Sequence, residues 1–221
     1  MSKSERIIFL IKFGKKKHLE SLLNNGELYF NSVKSFNKIK KSNCEQGDEN
    51  EGAIWIENLK NIQIICNHPE LGEFKFKSVP NKLSKLTQFN HNYLTCSFYA
   101  VTYKDFEDSQ ILEVDVRMSS FGGHALIISN PKLLIDNILE YADKEKIQLS
   151  AKMVDYEDIN KEGRVELNPF IKKNDHSYQK EYRMVIENSL DDSKVLYLKK
   201  IGENGTIIPT KENVSLKFKI N

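Results

Sequence analysis

The sequence predicts an α+β fold in which a mixed, mostly antiparallel sheet packs against at least two helices. About ten short segments rich in β-branched and aromatic residues are typical of strands, whereas the 3.6-residue apolar period of a helix is clear in few places. The helices do not alternate with the strands, as they would in a parallel doubly wound sheet. Because 221 residues can enclose one sizeable core, we expect a single domain over residues 1–221.

The N-terminal residues predict a strand, a helix and a second strand. The stretch "RIIFLIKF" is rich in Ile and Phe, as buried strands are. A helix is predicted next, because three leucines recur at the spacing of one apolar face: Leu19, Leu22 and Leu23. Gly26 follows the last of them and suits a left-handed C-cap. The second strand begins at Leu28.

Further candidate strands fill the middle of the chain. They are the stretches "AIWIEN", "NIQIIC", "EFKFKS", "NYLTCSFYAVT" and "ILEVDVRM". The fourth is apolar, aromatic and β-branched, so we expect it to be a buried central strand. The fifth alternates apolar and polar residues, which predicts a strand over residues 111–118.

A second helix is predicted after the strand in "HALIIS". Asn130 is a suitable N-cap, and Pro131 suits the first helical position. The predicted buried face has apolar residues at helical spacing, namely Leu134, Ile135, Ile138, Leu139 and Ala142. Beyond this helix "AKMVDYE" predicts a strand and residues 160–177 a long polar loop. The terminal strands are predicted in "KVLYLKK", "TIIPT" and "VSLKFKI".

The charge and the cysteine content exclude several classes of protein. Lys and Arg total 33 against 31 Asp and Glu, and a net charge of +2 gives no general signal for nucleic-acid or membrane binding. The cysteines form no C-x-x-C pair and the histidines show no ligand spacing, so we predict neither a disulfide framework nor a metal site. The apolar run near the N-terminus is too short for a signal peptide or a membrane span, which favours a reducing, cytoplasmic compartment.

Two acidic clusters and one basic pair are interpreted as solvated surface. The first cluster is Asp48, Glu49 and Glu51 in the polar stretch 41–53, and the second is Asp155, Glu157 and Asp158. Divalent-metal sites need ligands that converge from several segments, whereas each cluster comes from one. Lys172 and Lys173, in the loop 160–177, are likewise interpreted as solvated.

The most informative stretch is "SYQKEYRMVIE", residues 177–187. Its alternation predicts a strand with an apolar face and a polar face, the latter formed by Gln179, Glu181 and Arg183. A polar loop leads into this strand, so we expect Gln179 and Glu181 to lie open at the rim of a cleft. Glu181 has two interpretations, a catalytic carboxylate or the ion-pair partner of Arg183.

The segment "YQKEYR" resembles the Q-x-E or E-x-E motif of the ADP-ribosyltransferases. In that family the last Glu hydrogen-bonds the nicotinamide-ribose hydroxyl of NAD and stabilises the oxocarbenium-like state that forms as nicotinamide departs. A fixed negative charge suits this chemistry, because it stabilises the transition state more than the ground state. The resemblance implies that Glu181 is the catalytic carboxylate and that Gln179 orients the acceptor.

Two further stretches extend the resemblance. "LTCSF" is similar to the S-T-S element on the strand that forms the floor of the NAD cleft, with Cys96 in place of the middle Thr. "FLIKFGKKKHLESLLNNGELYF" is similar to the opening of several NAD-binding members, and the order of these elements agrees. Those enzymes usually carry Arg or His on the first strand to hold NAD, where this chain has Lys12. The resemblance thus implies an ADP-ribosyltransferase-like fold in which Lys12, Thr95, Ser97 and Arg183 bind NAD.

The chain also resembles a family of uncharacterised bacterial and phage proteins. The shared stretches are "LESLLNNGELYFNSVKSFN", "YLTCSFYA" and "FIKKNDHSYQKEYRMVI", and the likeness runs from Ile8 to Ile186. Members have no agreed activity. Some of them lie near phage-defence or toxin loci, which implies a setting of conflict between phage and host.

Three functions are therefore expected, each from a different class. The first is an ADP-ribosyltransferase-like enzyme that uses NAD as its substrate and transfers ADP-ribose to a macromolecule, a protein or a nucleic acid, or cleaves NAD. The second is a non-catalytic module that binds a protein or a nucleotide in phage defence or counter-defence, with Glu181 paired with Arg183. The third is a metal-dependent nuclease, for which "ILEVDVRM" supplies the charged residues.

Overall fold

A computed structural model of the chain describes residues 6–33, 35, 48–60, 63–77, 84–90, 92–189, 192–210 and 216–219. Within them the fold is α+β with mostly antiparallel sheets, as predicted. The α-helices bounded there are α1 (Lys16–Asn25) and α2 (Pro131–Lys144), and short 3-10 helices cover Tyr103–Phe106, Val116–Phe121, Asn174–Gln179 and Gly202–Asn204. The strands are β1 (Ile7–Gly14), β2 (Glu27–Ser32), β3 (Ala53–Leu59), β4 (Gln63–His68), β5 (Gly72–Lys77), β6 (Ser84–Phe89), β7 (Tyr93–Thr102), β8 (Ile111–Glu113), β9 (His124–Ile128), β10 (Leu149–Met153), β11 (Asp155–Glu157), β12 (Gly163–Glu166), β13 (Ile171–Lys173), β14 (Glu181–Glu187), β15 (Ser193–Tyr197), β16 (Gly205–Pro209) and β17 (Lys217–Lys219).

The largest sheet has the strand order β10-β14-β7-β1-β9-β16, and each neighbouring pair in that order is antiparallel. β2 joins this sheet through β7 and also pairs with β15. β7 lies near its centre and is buried along almost its whole length, which confirms the prediction for residues 93–102. The smaller sheets are β12-β3-β6, β4-β5, β8-β17 and β11-β13, and only the last of these is parallel.

α1 packs into the main apolar core through Leu19 and Leu22, two of the three predicted leucines. Leu23 is partly buried against the same core. The helix ends at Gly26, whose φ of 73° is left-handed, as the C-cap prediction requires. A Cβ at this position would lie 2.1 Å from the carbonyl oxygen of Leu198, so both the conformation and the close approach of the backbone require glycine.

α2 begins as predicted, because the side chain of Asn130 accepts a hydrogen bond from the backbone N–H of Leu133 at 3.1 Å and Pro131 follows it. Three of the five predicted core positions, Leu134, Ile138 and Ala142, are buried. Ile135 is partly buried, but Leu139 is 47% exposed, so its assignment to the core is wrong. The apolar stripe of this helix is therefore narrower than its sequence pattern indicated.

Several segments differ from their prediction. The strand predicted over residues 111–118 ends at Glu113, because Asp115 caps a 3-10 helix by accepting a hydrogen bond from the N–H of Arg117. The segment 160–177 is not a plain loop, since it contains β12, β13 and most of a 3-10 helix. Parts of four predictions lie outside the described residues: 41–47 of the polar stretch, 61–62 of "NIQIIC", 78 of "EFKFKS", and 214–215 and 220 of "VSLKFKI".

A separation between β1 and β7 positions the candidate site. The register of these two strands ends at the pair Ile11 and Tyr99, whereas the other edge of β1 stays paired with β9 as far as Gly14. The opposite end of β7 pairs with β2 instead, at Asn31 with Thr95. The sheet therefore opens beside the middle of β7. Among the described residues, no helix has the length and apolar character that crossing a membrane would take.

Candidate functional site

The opening in the sheet holds a cavity of about 170 Å³. All six residues that the sequence assigned to the site line it: Lys12, Thr95, Ser97, Gln179, Glu181 and Arg183. They come from three neighbouring strands, β1, β7 and β14, and from the turn that precedes β14. The wall also contains residues that the sequence did not assign to it, among them Asn31, Glu51 and Lys172.

A sharp turn brings Gln179 and Glu181 together. Glu181 is the first residue of β14, but Gln179 ends the preceding 3-10 helix, so the prediction that both lie on one strand is wrong. Lys180 between them has a φ of 40°, in the left-handed region, and its ammonium forms an ion pair with Asp105. Both flanking side chains meet the ammonium of Lys172, which donates to Gln179 Oε1 at 2.9 Å and to Glu181 Oε1 at 2.5 Å.

Glu181 is buried rather than open at a rim, since only 7% of its surface is exposed. Its surroundings are nevertheless polar. Besides Lys172, it accepts hydrogen bonds from Arg183 Nε at 3.1 Å, from Arg183 Nη2 at 3.0 Å and from the Ser97 side chain. Its backbone N–H donates to the hydroxyl of Tyr156 at 2.9 Å. The expectation that Gln179 and Glu181 lie open at a rim is therefore wrong for both, since Gln179 is only 3% exposed, and the ion pair of Glu181 with Arg183 is present.

Lys172 and Glu51 are the two site residues that the sequence placed in solvated loops. Lys172 is 7% exposed and Glu51 is 5% exposed, so that interpretation is wrong for both. Asp48, in the same turn as Glu51, is also 5% exposed. Both segments look polar in the sequence, but in the fold their buried charges are neutralised by ion pairs. Lys172 pairs with Glu181, nine residues away. Glu51 pairs with Arg183, 132 residues away.

The two glutamates beside Arg183 have opposite pKa shifts. Burial would raise the pKa of Glu181, but Arg183 and Lys172 outweigh it and hold that pKa well below its ordinary 4.5. Burial raises the pKa of Glu51 above its ordinary value, against the opposing effect of Arg183 and Lys172. Glu181 is therefore an anion throughout the physiological pH range.

Lys12 lies in the opening between β1 and β7. Its ammonium donates to the Ser97 carbonyl oxygen at 2.7 Å and to Cys96 Sγ at 3.2 Å, and it lies 4.9 Å from the centroid of the Phe98 ring. No carboxylate of the described part of the chain forms an ion pair with it, whereas Lys172 pairs with one carboxylate and Arg183 with two. The positive charge that the cavity does not compensate is therefore on Lys12.

The site combines two carboxylates with the cations that pair with them, an ammonium that has no ion pair among the described residues, and several neutral hydrogen-bonding groups in a small cavity. Thr95 is buried in its wall, and Asn31, Ser97 and Gln179 add amide and hydroxyl groups. Within the described ranges, no three or more His, Cys, Asp or Glu side chains form a group suited to a metal ion.

In comparisons with protein-family models, with curated proteins and with solved structures, nothing matches the chain.

Proposed function

We propose that the cavity binds the nicotinamide-ribose end of NAD. The protein then transfers ADP-ribose to a macromolecule or cleaves NAD, in a toxin or phage-conflict setting. One observation carries this proposal: β14, β7 and β1 are hydrogen-bonded neighbours and place Glu181, Ser97 and Lys12 around one cavity. The resemblance to the ADP-ribosyltransferases implies a hydroxyl-bearing strand at the floor of the NAD cleft, and β7 lines this cavity with Thr95 and Ser97.

The size of the cavity limits what can enter it. Sites that enclose a drug-sized ligand have volumes of about 300–1,000 Å³, and this cavity has about 170 Å³. It therefore accommodates the nicotinamide ring and part of its ribose, while the adenosine end of NAD remains outside. The unpaired ammonium of Lys12 suits the pyrophosphate between these two ends.

Glu181 acts as a fixed negative charge in the proposed reaction. The bond between ribose C1′ and the nicotinamide nitrogen breaks, and its electron pair leaves with nicotinamide. Positive charge then develops on the ribose, and the Glu181 carboxylate stabilises it. Water or a nucleophile of the acceptor forms the new bond to C1′ and loses a proton. Gln179, which lines the same cavity, orients that nucleophile.

Lys172 has to leave Glu181 Oε1 for this chemistry. An ammonium about 4 Å from a second unit positive charge costs about 4 kcal/mol at an effective dielectric constant of 20. A ribose hydroxyl must also reach the oxygen that Lys172 now occupies at 2.5 Å. We therefore expect NAD binding to displace the Lys172 ammonium, and with it β13, from the carboxylate.

The first experiment compares Glu181→Gln with the wild-type protein. Nicotinamide release from NAD is measured by chromatography, with candidate acceptor proteins and nucleic acids added. We expect a loss of about 10²–10³-fold in kcat, the typical effect of removing one electrostatic group from a transition state. Glu187→Gln is the matched control, because Glu187 lies on the same strand and bonds Ser150 and Gln148 instead. A wild-type protein that neither binds NAD in calorimetry nor releases nicotinamide contradicts the proposal.

The second candidate is a non-catalytic module that binds a protein or a nucleotide. The saturation of Glu181 by Arg183 and Lys172 favours it, since the carboxylate already has its partners. This function predicts calorimetric binding of NAD or another nucleotide with no release of nicotinamide.

The third hypothesis, a metal-dependent nuclease, predicts cleavage of nucleic acid that a chelator abolishes and that Glu181→Gln leaves unchanged.

A further inference from the structure

We propose that Glu51 is a positioning residue, which holds Arg183 so that its guanidinium engages only one oxygen of Glu181 and leaves the other for the ligand. The ligand's identity, a ribose hydroxyl of NAD, rests on the proposed function. The orientation of Arg183 does not, and it can be tested separately.

The guanidinium of Arg183 has all five of its N–H donors in use. Nη1 donates to Glu51 Oε1 at 2.9 Å and to the Pro169 carbonyl oxygen at 2.5 Å. Nη2 donates to Glu51 Oε2 at 3.2 Å and to Glu181 Oε2 at 3.0 Å. Nε donates to Glu181 Oε2 at 3.1 Å. A guanidinium offers five donors and no more, so its orientation is fully determined by these acceptors.

The consequence for Glu181 is an unequal use of its two oxygens. Oε2 accepts both hydrogen bonds from Arg183, whereas Oε1 accepts one from the ammonium of Lys172, which also donates to Gln179. Glu51 maintains this division, because it fixes the Nη1–Nη2 edge of the guanidinium and thereby the position of the Nε–Nη2 edge, both of whose donors fall on Oε2. Oε1 is thus the oxygen available to a ligand once Lys172 moves aside.

Without Glu51 the two-pronged end of Arg183 has no carboxylate. Carboxylates and guanidinium groups prefer to pair through two parallel hydrogen bonds. Arg183 would then turn toward Glu181 and bind both oxygens, which would withdraw Oε1 from the ligand. Glu51 is therefore needed for the geometry of Glu181 although it does not touch the Glu181 side chain.

Asp48 supplies a matched control. It lies three residues from Glu51 and is equally buried at 5% exposure. Its carboxylate accepts hydrogen bonds from the backbone and the side chain of Asn50, at 2.8 and 3.4 Å, and forms no ion pair with Arg183. Asp48→Asn therefore removes a buried negative charge from the same turn without releasing Arg183.

The experiment compares Glu51→Gln, Glu51→Asp and Asp48→Asn in two ways: NAD turnover, and a crystal structure without NAD. We expect both Glu51 variants to lose at least about tenfold in kcat and to have a raised KM, since Oε1 is withdrawn from the ligand and misplacement of a catalytic group costs up to about 10²-fold. Asp48→Asn keeps the wild-type kcat. Glu51→Asp separates position from charge, because it keeps the carboxylate but draws it back by one methylene. In the Glu51→Gln crystal, Arg183 should bind both oxygens of Glu181.

Each outcome decides one claim. If Arg183 keeps its orientation in the Glu51 variants, or if their kcat equals that of Asp48→Asn, the role of Glu51 is overturned. If Glu51→Gln does not fold, the orientation of Arg183 and the kcat of Glu51→Asp, whose carboxylate is drawn back from Arg183, decide the claim. If the wild-type protein does not turn over NAD, the proposed function fails, and the orientation of Arg183 in the crystal alone decides whether Glu51 positions it.

Discussion

The two faces of β14 are similarly buried but are stabilised in different ways. On one face Met184, with no exposed surface, and Ile186 join the apolar core beneath α1 and α2. On the other face Arg183 is 3% exposed and lies between Glu51 and Glu181. The apolar face gains free energy from the area it removes from water. The charged face gains it only while each ion keeps its partners.

This difference makes the charged face an interdependent unit. A hydrophobic contact has no direction, so a lost methyl group leaves a cavity but no unsatisfied partner. A lost charge leaves its partner buried and uncompensated, which costs more than the pair contributed. The charged face should therefore respond to substitutions non-additively, and the apolar face should respond almost additively.

The largest expected effect is that of Arg183→Met. It leaves Glu51 and Glu181 buried without their shared cation, and we expect the free energy of unfolding to fall by about 3–5 kcal/mol. Met184→Ala, on the opposite face, should cost about 2–5 kcal/mol through a cavity. Urea denaturation measures both.

A combined variant tests the interdependence. Glu51→Gln and Glu181→Gln added to Arg183→Met remove both stranded carboxylates but leave the Lys172 ammonium without Glu181, so only part of the lost stability should return. The same two substitutions added to Met184→Ala should lower its stability further, because they leave Arg183 without counter-ions. If the triple variant is no more stable than Arg183→Met alone, the network does not act as a unit.

The helices and the central strand of the apolar core were largely predictable from the sequence. Leu19, Leu22 and Gly26 gave the position and the end of α1, and Asn130 with Pro131 gave the start of α2, because caps and apolar spacing are local signals. The buried character of β7 followed in the same way from its composition. Leu139 was misassigned because spacing shows which residues share a helix face but not how much of that face a neighbour covers.

The charged face and the cavity beside it were predictable only in part. Alternation placed Glu181 and Arg183 on one face of β14, and motif order brought Lys12, Thr95 and Ser97 to the same cavity. Glu51 and Lys172 could not be found in this way. Their segments are as polar as solvated loops, and their burial depends on ion pairs, of Glu51 with Arg183 and of Lys172 with Glu181, that spacing and composition do not reveal.

Lys172→Met sharpens the comparison because it removes a cation but leaves Arg183 beside Glu181. Hydrogen bonds to charged groups contribute about 1.5–3 kcal/mol, so we expect a loss of stability of that size. Under the proposed function, affinity for NAD should rise, because the ligand no longer competes with the ammonium for Glu181 Oε1. Differential scanning fluorimetry and calorimetry measure the two effects.

The neighbouring lysine is the control for this variant. Lys173 lies next to Lys172 on β13 but pairs with the exposed Asp175, so Lys173→Met should change neither stability nor NAD affinity appreciably. If Lys172→Met weakens NAD binding, then Lys172 holds the ligand instead of competing with it.

The smallest expected effect concerns His176, at the edge of the charged face. Burial and the nearby ammonium of Lys172 lower the pKa of His176 below its ordinary 6.5, although Asp48, Glu181 and Asp175 act in the opposite direction. The unfolded chain therefore binds more protons than the folded chain as the pH falls below 6.5. Stability is retained above that pH and decreases as the pH is lowered through it toward the folded pKa. His176→Gln should remove this part of the slope of melting temperature against pH, whereas His18→Gln, at an exposed position on α1, should keep it. Equal slopes in the wild-type protein and in His176→Gln would mean that protonation of His176 does not affect the stability of the charged face. The charges that stabilise this face would then be those of Glu51, Lys172, Glu181 and Arg183 alone.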